Sequence, residues 1–517
     1  LLAKLGYDLD TVPKEGEIVY LRTTANLSTG GTAIDVTDTI PPDNREMAIR
    51  TISAIGLDIG GVDFLTKDIT ESYRETGGGI CEVNAGPGFR MHVAPSEGTP
   101  RDVAGPVLDM LFPPDSPSRI PIAAVTGTNG KTTTSRMLAH ILIPSVDAAV
   151  METARGGMLR SGLGFQECNV AACLNVAADH LGLKGINTLE QLAEIKRVPI
   201  EIAKDAAVLN ADDTHCLQMA DYTNAATLCY VTMNPGHSLV KQHIRAGGQA
   251  FVLEEGMNGH MITIYDKESH IPLLWTHLIP ATIEGRAIHN VQNAMFAAAL
   301  AYNMDIGLED IRHGLRTFDT TFFQTPGRMN IYDEHPFKVI LDYAHNPAAV
   351  RAMCNLVDRF EPEGKRIVVL SAPGDRRDED IREIAEIATG HFDHFICRCD
   401  DNRRGRGDDE VAVMLKNKLL EEGVSTDQIE VIPDEQEATT RALEAAGPDD
   451  LLLVLADAIK RTWKQIIYFN SGALVEDAPK RSSVSIELPD TEDFNFDDNL
   501  EIISDERGVR IAREAGD

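Results

Sequence analysis

A loop built to hold phosphate groups limits the folds open to this 517-residue chain more than any other feature. It reads Val125-Thr-Gly-Thr-Asn-Gly-Lys-Thr-Thr-Thr134 and lies between a predicted strand, Ile122–Val125, and a predicted helix, Lys131–Leu142. A strand that passes through a glycine-rich turn into a helix is typical of α/β proteins with parallel sheets. The loop therefore predicts an α/β fold with a nucleotide site at the end of a strand.

The residue types of this phosphate loop explain its chemistry. Gly127 and Gly130 let backbone N–H groups turn toward phosphate oxygens, and the next helix presents its positive N-terminus. Lys131 supplies a charge, and the Thr132 hydroxyl can reach Mg²⁺ beside the phosphates. The loop departs from the Walker form GxxxxGKS/T because Val125 stands at the place of the first glycine. The residues predicted to bind ATP are Gly127, Thr128, Asn129, Gly130, Lys131, Thr132 and Thr133.

Composition excludes several classes of protein. A formal net charge of -32 would repel a phosphate backbone, so nucleic acid is not an expected partner. No run approaches the ~20 apolar residues of a membrane helix, so no membrane partner is expected. Eight cysteines lie scattered without paired CxxC elements, which favours a reducing cytoplasm. The chain opens Leu1-Leu-Ala-Lys4 without methionine, and we expect residue 1 to be an internal point of a longer chain.

A proline-rich linker, Pro113-Pro-Asp-Ser-Pro-Ser118, separates a glycine-rich first segment from two strand–helix alternations, each of which predicts a parallel sheet. From about Ser471 the periodicity stops, and the acidic stretch 487–498 predicts a solvated arm. The expected divisions are residues 1–112, a linker at 113–120, a central domain at 121–326, a doubly wound C-terminal domain at 327–470 and a tail at 471–517. The predicted strands are Ile122–Val125, Asp147–Met151, Asn169–Val176, Val339–Leu341, Ile367–Leu370, Phe395–Cys397, Ile429–Ile432 and Leu451–Leu455.

Four further motifs follow the phosphate loop in an order that resembles the Mur ligase family, which couples ATP hydrolysis to amide formation. The resemblance implies a Mur-like central ATP-binding domain followed by a Rossmann-like C-terminal domain. The motifs are Asn175-Val-Ala-Ala-Asp-His-Leu181, Gly285-Arg-Ala-Ile-His-Asn-Val-Gln-Asn293, Pro326-Gly-Arg328 and Asp342-Tyr-Ala-His-Asn-Pro347.

Three residues of the central domain are candidate metal-site residues. Glu152 ends a predicted strand, where a carboxylate can hold Mg²⁺ beside the phosphates. The resemblance implies that His180 reaches a second Mg²⁺. It also implies that Lys196, in the predicted helix Leu189–Val198, is the lysine that many Mur ligases carry as a carbamate, which would give a carboxylate-like ligand. An exposed helix lysine is the alternative for Lys196.

Five residues nearer the C-terminus are predicted to surround the nucleotide. The resemblance implies that Asn293 contacts adenine and that Asp342 contacts the ribose or positions the nucleotide. Arg328 would lie over the γ-phosphate and stabilise charge during phosphoryl transfer. His345 and Asn346 would help to close the C-terminal domain over the site.

One departure from the Mur pattern concerns the segment after Leu142. Only a few residues separate the predicted helix from the strand at Asp147, whereas Mur-like folds place another strand and an acceptor-binding loop there. A deletion and a segment absent from this sequence both explain the gap. We expect the second, because a deletion would remove substrate contacts.

The first segment carries features of a second ATP site. In Cys81-Glu-Val-Asn84 the polar residues Glu82 and Asn84 are two apart on a strand, so both face one side, and Asp63 can complete a set of oxygen ligands for Mg²⁺. This arrangement resembles the metal site of ATP-grasp ligases. The loop that begins at Arg22 resembles that family's glycine-rich loop, with Arg22 and Asn26 near phosphates or the acylated substrate.

An ATP-grasp segment joined to a Mur-like domain resembles the cyanophycin synthetase family over nearly all of residues 1–470. The resemblance implies a homo-oligomeric enzyme whose substrates are aspartate, arginine and a cyanophycin primer, with ATP and Mg²⁺. The ATP-grasp site would add aspartate to the α-carboxylate at the chain end. The Mur-like site would then add arginine to the β-carboxylate of that aspartate.

A charged loop after the strand Phe395–Cys397 is the candidate for arginine recognition. Ligands bind outside the carboxyl ends of strands in doubly wound sheets, and Asp400, Asp401 and Asn402 lie at such an end. A carboxylate can pair with a guanidinium through two hydrogen bonds. A charged surface loop without this role is the alternative.

Three other functions remain open from the sequence. A relative that polymerises β-aspartyl-arginine dipeptides is disfavoured by the intact phosphate loop. A peptidoglycan or folylpolyglutamate ligase is disfavoured by the ATP-grasp segment. A nucleotide-binding scaffold without activity is disfavoured by Glu152, His180 and Arg328.

Overall fold

The structure is a computed structural model that describes residues 2, 6–8, 10–17, 19, 31–116, 118–144, 147–469, 500–505 and 508–513. The chain divides into two compact units, Leu1–Arg119 and Ile120–Asp517, which are described separately. Within the described residues no helix is both long enough and apolar enough to cross a membrane.

The first unit is built around a two-stranded antiparallel sheet, β1 (Gly61–Leu65) with β2 (Gly79–Asn84). Asp63 lies directly opposite Glu82 in this sheet, and Gly61 lies opposite Asn84. The first helix begins at a proline, which suits a first turn, and ends at Gly56 in the left-handed conformation. The helices of this unit are α1 (Pro42–Ile55), α2 (Tyr73–Thr76), α3 (Arg90–Val93) and α4 (Ala104–Leu111).

An eight-stranded sheet forms the centre of the phosphate-loop domain, in the spatial order β10-β9-β8-β7-β6-β5-β3-β4. The strands from β4 across to β8 are parallel, and β9 and β10 continue the sheet in antiparallel order. The strands are β3 (Ile122–Thr126), β4 (Ala149–Glu152), β5 (Cys168–Cys173), β6 (Ala203–Asn210), β7 (Thr227–Thr232), β8 (Gln249–Gly256), β9 (Gly259–Asp266) and β10 (Ser269–Trp275).

Helices cover both faces of this sheet. One face packs against α5, α10 and α11, and the other packs against α7, α8 and α9. Successive residues of β3 serve opposite faces, since Ala123 and Val125 join one core and Ala124 joins the other. The helices are α5 (Lys131–Leu142), α6 (Arg155–Ser161), α7 (Leu189–Glu201), α8 (Thr214–Gln218), α9 (Ser238–Arg245), α10 (Ile288–Tyr302) and α11 (Leu308–Thr317), with short 3₁₀ turns at Met219–Tyr222, Thr276–Leu278 and Pro280–Thr282.

A six-stranded sheet forms the centre of the C-terminal domain, in the order β11-β12-β16-β13-β14-β15. It is parallel except for β11 at one edge, and helices pack on both faces. Its strands are β11 (Asn330–Tyr332), β12 (Lys338–Asp342), β13 (Arg366–Leu370), β14 (His394–Cys397), β15 (Ile429–Val431) and β16 (Leu451–Leu455). Its helices are α12 (Pro347–Phe360), α13 (Asp378–Ala388), α14 (Glu410–Glu421), α15 (Glu435–Ala445) and α16 (Ile459–Tyr468), with a 3₁₀ turn at Thr426–Gln428.

The predicted α/β fold is confirmed, but both sheets are mixed and not wholly parallel, because β9, β10 and β11 pair antiparallel. Several strand limits also differ from the prediction. The strand predicted at Asn169–Val176 runs from Cys168 to Cys173, and beyond it the Asn175 carbonyl accepts from the Thr128 N–H of the phosphate loop. The strand predicted at Asp147–Met151 runs instead from Ala149 to Glu152. An antiparallel hairpin, β17 (Leu500–Asp505) with β18 (Gly508–Arg513), lies within residues 471–517, which we predicted to be a solvated acidic tail.

Close packing of α11 on α5 supports the helix that follows the phosphate loop. A methyl group at Gly314 would lie 2.9 Å from the Ile141 Cα, closer than real contacts allow. Gly314→Ala should therefore lower the free energy of unfolding by about 1 to 3 kcal/mol through overpacking, measured by chemical denaturation. Gly157→Ala is the control, because that helical glycine has open space around it and alanine should be neutral or stabilising there. Equal stability of the Gly314 variant and wild type would contradict the packing argument.

Candidate active site

The phosphate loop has a backbone that only glycine fits at two points. Gly127 has φ 145° and Gly130 has φ 83°, both outside the range of ordinary side chains. A methyl group at Gly130 would also lie 2.3 Å from Asn293 Oδ1, so the loop and α10 approach closely here. These constraints leave the loop open at the N-terminus of α5, as an anion site requires.

The chain after β5 holds the phosphate loop in place. The backbone N–H groups of Thr128 and Asn129 donate to Asn175 Oδ1 at 3.2 and 2.9 Å. The Thr128 hydroxyl donates to the Ala177 carbonyl at 3.1 Å and accepts from the Ala177 N–H at 3.0 Å. Asn175 begins one of the motifs found in the sequence, but no role is predicted for it there. Its place directly after a strand next to β3 is the signal that predicts this contact.

Two lysines, the half-buried Lys131 and the buried Lys196, lie under the loop. Lys131 Nζ donates to the Thr128 carbonyl at 2.8 Å, and Lys196 Nζ donates to the Gly127 carbonyl at 2.7 Å. Burial lowers the pKa of Lys131. Burial, followed by repulsion from Lys131, lowers the pKa of Lys196 to about 8, with the side chain only 3% exposed. Lys196 is therefore a buried amine and not the exposed helix lysine that the sequence left as an alternative.

Oxygen and nitrogen ligands that suit divalent metals occur at two places beside the loop. Thr132 Oγ1 donates to Glu152 Oε2 at 3.0 Å, so the hydroxyl and the carboxylate can share one cation. Asp179, His180 and His345 each bring a possible ligand atom within 4.8 Å of the others. These groups fit a pair of metal ions in chemistry and position. Of these three residues, His180 is predicted from the sequence as a metal ligand and His345 as a residue that helps to close the C-terminal domain, and no role is predicted for Asp179.

An arginine from the C-terminal domain reaches this second group of ligands. Arg376 Nη2 lies 3.0 Å from Asp179 Oδ1 and 3.1 Å from His180 Nε2. Burial lowers the pKa of His180 to about 4, and the attraction of Asp179 opposes that shift. His345 is oriented by its own Nδ1, 2.8 Å from the Tyr343 carbonyl. Arg376 is not among the residues predicted from the sequence, although it follows β13 at the carboxyl end of the sheet, where such groups are expected.

A cavity of about 330 Å³ extends from the phosphate loop between α10 and α12. Asn293 lies on its wall, where its side chain accepts from Thr134 Oγ1 at 3.3 Å and donates to Asn290 at 3.0 Å. Asp342 accepts from the Met329 N–H at 2.7 Å, and burial raises the pKa of this carboxyl. The Arg328 guanidinium lies over the Tyr343 ring, 5.2 Å from its centre. The cavity thus collects the predicted adenine, ribose and γ-phosphate residues.

Asn346 joins the C-terminal domain to the phosphate loop. Its Nδ2 donates to Asn129 Oδ1 at 2.9 Å, and Asn129 Nδ2 donates back to Asn346 Oδ1 at 3.3 Å. The same Oδ1 accepts from the Ala349 N–H at 2.9 Å and so caps α12. One side chain therefore fixes both a helix start and the approach of the two domains.

The residues predicted to recognise arginine already have partners within the chain. Asp400 Oδ1 accepts from Ser371 at 2.8 Å and lies 3.3 Å from the buried Arg398. Asp401 pairs with Arg461 at 2.8 Å. Asn402 Oδ1 accepts from the backbone N–H of Arg404 at 3.1 Å. Their part in substrate recognition stays a prediction.

In the first unit, the predicted ligands Asp63, Glu82 and Asn84 share one face of the β1–β2 sheet, because Asp63 pairs with Glu82 and Asn84 is two residues further along. Asp63 and Glu82 are exposed. Arg22 and Asn26 lie outside the described residues.

Comparison with known proteins identifies both domains around the cavity. Residues 143–301 match the Mur ligase middle domain, and residues 327–457 match the Mur ligase glutamate ligase domain. The cyanophycin synthetase of Synechocystis sp. is 44% identical over 501 residues, 89% of this chain and 56% of that protein. The cyanophycin synthetase of Trichormus variabilis is 44% identical over 513 residues, 90% of this chain and 55% of that protein. The chain therefore spans about half the length of the curated relatives it matches.

Among solved structures, a pseudomurein peptide ligase type C from Methanothermus fervidus superposes with a TM-score of 0.51 at 21% identity. The match covers 70% of this chain and 80% of that one. At this identity the likeness concerns the fold alone.

The cavity wall also contains a histidine with a shifted pKa. Burial lowers the pKa of His289 to about 4 from 6.5. Between pH 4 and pH 6.5, the unfolded chain therefore binds a proton at His289 that the folded chain does not bind. Stability should therefore fall as the pH drops from 7 to 5, with a His289 contribution on the order of 1 to 2 kcal/mol. His289→Gln should reduce the pH dependence of the unfolding free energy, measured by denaturation at both pH values. The exposed His277→Gln serves as control, and an unchanged pH dependence in the His289 variant would contradict the assignment.

Proposed function

The chain belongs to the Mur ligase family through its middle and C-terminal domains, and on that premise we propose that it is an ATP-dependent amino-acid ligase. The observation that carries the proposal is the single cavity in which the phosphate loop, the Thr132–Glu152 pair and the Asp179, His180 and His345 group meet. A nucleotide, a phosphoryl group and a carboxylate can all be held around one point there.

We propose that amide formation at this cavity proceeds through an acyl phosphate. A substrate carboxylate oxygen attacks the γ-phosphorus of ATP, and ADP leaves. The acceptor amine then attacks the acyl carbon, and inorganic phosphate and a proton leave. Bound Mg²⁺, held by Thr132 and Glu152 and by the Asp179 group, would neutralise phosphate charge.

The chain's own groups would stabilise charge in these steps. The N-terminus of α5 and the Lys131 ammonium face the place of the phosphates, where dipoles and cations act strongly away from water. Arg328 lines the same cavity and would balance charge on the transferred phosphoryl group. Asn293 and Asp342 would hold the adenosine part between α10 and α12.

We further propose that this ligase makes cyanophycin, an assignment supported by the two relatives that are 44% identical. On this proposal the cavity adds arginine to an aspartate β-carboxylate of a primer. The first unit would be the metal-binding part of an ATP-grasp site that adds aspartate, with Asp63, Glu82 and Asn84 as ligands. Asp400, Asp401 and Asn402 would contribute to the arginine subsite once an incoming guanidinium rearranges their present contacts.

Two substitutions in the full-length protein should separate the two additions. Lys131→Ala should abolish arginine addition and leave one aspartate addition to a primer that ends in a complete repeat, because the loop serves the Mur-like site alone. Glu82→Gln should block aspartate addition while arginine still joins a primer that ends in unmodified aspartate, since one lost charge weakens a Mg²⁺ site with little change of shape.

Each variant is the control for the other, and incorporation of labelled aspartate and labelled arginine is the measurement. Loss of both additions in a folded Lys131 variant would contradict two independent sites. Wild-type aspartate addition by the Glu82 variant would show that β2 is merely a strand.

We also propose that Lys196 carries a carbamate in the active protein. With a pKa of about 8, roughly a tenth of this amine is neutral at pH 7, compared with a negligible fraction for an ordinary lysine. The neutral amine adds to carbon dioxide and releases a proton, which gives an anionic oxygen ligand beneath the loop.

Incubation with ¹³C-bicarbonate at pH 8 should give a carbamate carbon signal in the NMR spectrum of the wild-type protein. Lys196→Arg should lose this signal, while the exposed Lys184→Arg should keep it. A wild-type spectrum without the signal would contradict the modification.

A further inference from the structure

Arg376 contacts two of the atoms that would bind a metal ion at the group formed by Asp179, His180 and His345. Its guanidinium lies 3.0 Å from Asp179 Oδ1 and 3.1 Å from His180 Nε2, and its side chain is only 3% exposed. A guanidinium offers donors and no acceptor, so Nε2 of His180 must be the acceptor in this contact. The lone pair that could bind a metal is therefore directed at Arg376.

Arg376 and His180 each have one energetically unfavourable feature in this arrangement. Arg376 Nε is buried without a hydrogen-bond partner among the described residues. His180 has φ 57°, a strained conformation for a residue with a side chain, and such strain is common at functional sites. An unsatisfied buried donor costs free energy that a rearrangement can recover.

The remaining ligand approaches from the same domain as Arg376. His345 places its Nδ1 2.8 Å from the Tyr343 carbonyl, which leaves Nε2 to face Asp179 and His180. A metal ion held by these three residues would need the Asp179 oxygen and the His180 nitrogen that Arg376 now contacts. Two cations would also repel each other at this separation.

We propose that Arg376 is a tethered cation that competes with a divalent metal for Asp179 and His180 and is released when the metal binds. Asp375 provides a place for the released side chain, since its Oδ1 already lies 2.9 Å from Arg376 Nη1. The same oxygen lies 2.7 Å from Arg404 Nη1, in the loop that contains Asp400. Metal binding in the phosphate-loop domain thereby changes the ion pairs of a loop in the C-terminal domain.

Competition between Arg376 and a metal ion does not depend on which amino acid is added, and it can be measured without ligase activity. Mn²⁺ alone is titrated into the full-length protein, and free Mn²⁺ is measured by electron paramagnetic resonance. Arg376→Gln should bind Mn²⁺ about tenfold more tightly than wild type at one class of sites, because a charge-assisted competitor is gone. His180→Ala should lose that class of sites, which assigns it to this group.

Arg377→Gln is the matched control, because it removes the same charge at the next position, where the side chain pairs with Asp380 and not with the oxygens of Asp179 or Asp375. Its Mn²⁺ affinity should stay within about twofold of wild type. Arg376→Lys keeps a cation at the site, and its Mn²⁺ affinity should lie between those of wild type and the Gln variant. This variant keeps the competition testable if the Gln variant folds poorly. Unchanged or weaker Mn²⁺ binding by folded Arg376→Gln, or an equal gain in affinity by Arg377→Gln, would overturn the competition.

Thermal unfolding adds a readout that a purely structural arginine would not move. Without metal, Arg376→Gln should unfold at a lower temperature than wild type, because Asp179 loses its buried partner. Saturating Mn²⁺ should narrow this difference, since the metal then takes the place of the arginine in both proteins. If Mn²⁺ leaves the difference in unfolding temperature unchanged, Arg376 has a structural role only.

Discussion

The site depends on the amide of one side chain, Asn175, which accepts from two successive backbone N–H groups of the phosphate loop. A loop with two glycines at positive φ has many conformations open to it in the unfolded chain, and ordering it is costly. The bonds to Asn175, together with the reciprocal bonds between Thr128 and Ala177, offset that cost by tying the loop to the chain leaving β5. The conformation of the phosphate loop is therefore fixed by contacts with the chain after β5, without a bound nucleotide.

Besides the packing of Ala287 and Ile283 on the C-terminal core, the two domains exchange polar contacts at and beside this loop. Asn129 and Asn346 exchange amide hydrogen bonds, and Arg376 crosses to Asp179 and His180. Polar contacts of this kind can break and form again at small net cost, unlike a packed apolar interface. Opening and closing of the C-terminal domain over the cavity is thus compatible with the chemistry of its contacts.

Much of this arrangement could be predicted from the sequence because its signals are local. Strand β16 and helix α5 have the predicted limits, since apolar runs and a glycine-rich turn mark them within a few residues. Strands β8 to β10 escaped prediction, although the short turns between them are ordinary hairpin signals. Arg376 could not be assigned, because its partners lie almost two hundred positions earlier and only the folded chain brings them together.

The position of β4 has a consequence for the metal-binding carboxylate at its end. Among the described residues, this four-residue strand is the outermost of its sheet and pairs with β3 alone. Edge strands open locally at a lower free energy than central strands, so amide hydrogens of β4 should exchange with solvent sooner than those of β3. A cation bridging Glu152 and Thr132 would fasten this edge to the first turn of α5. Binding of the cation and ordering of β4 would then be coupled, so that each favours the other.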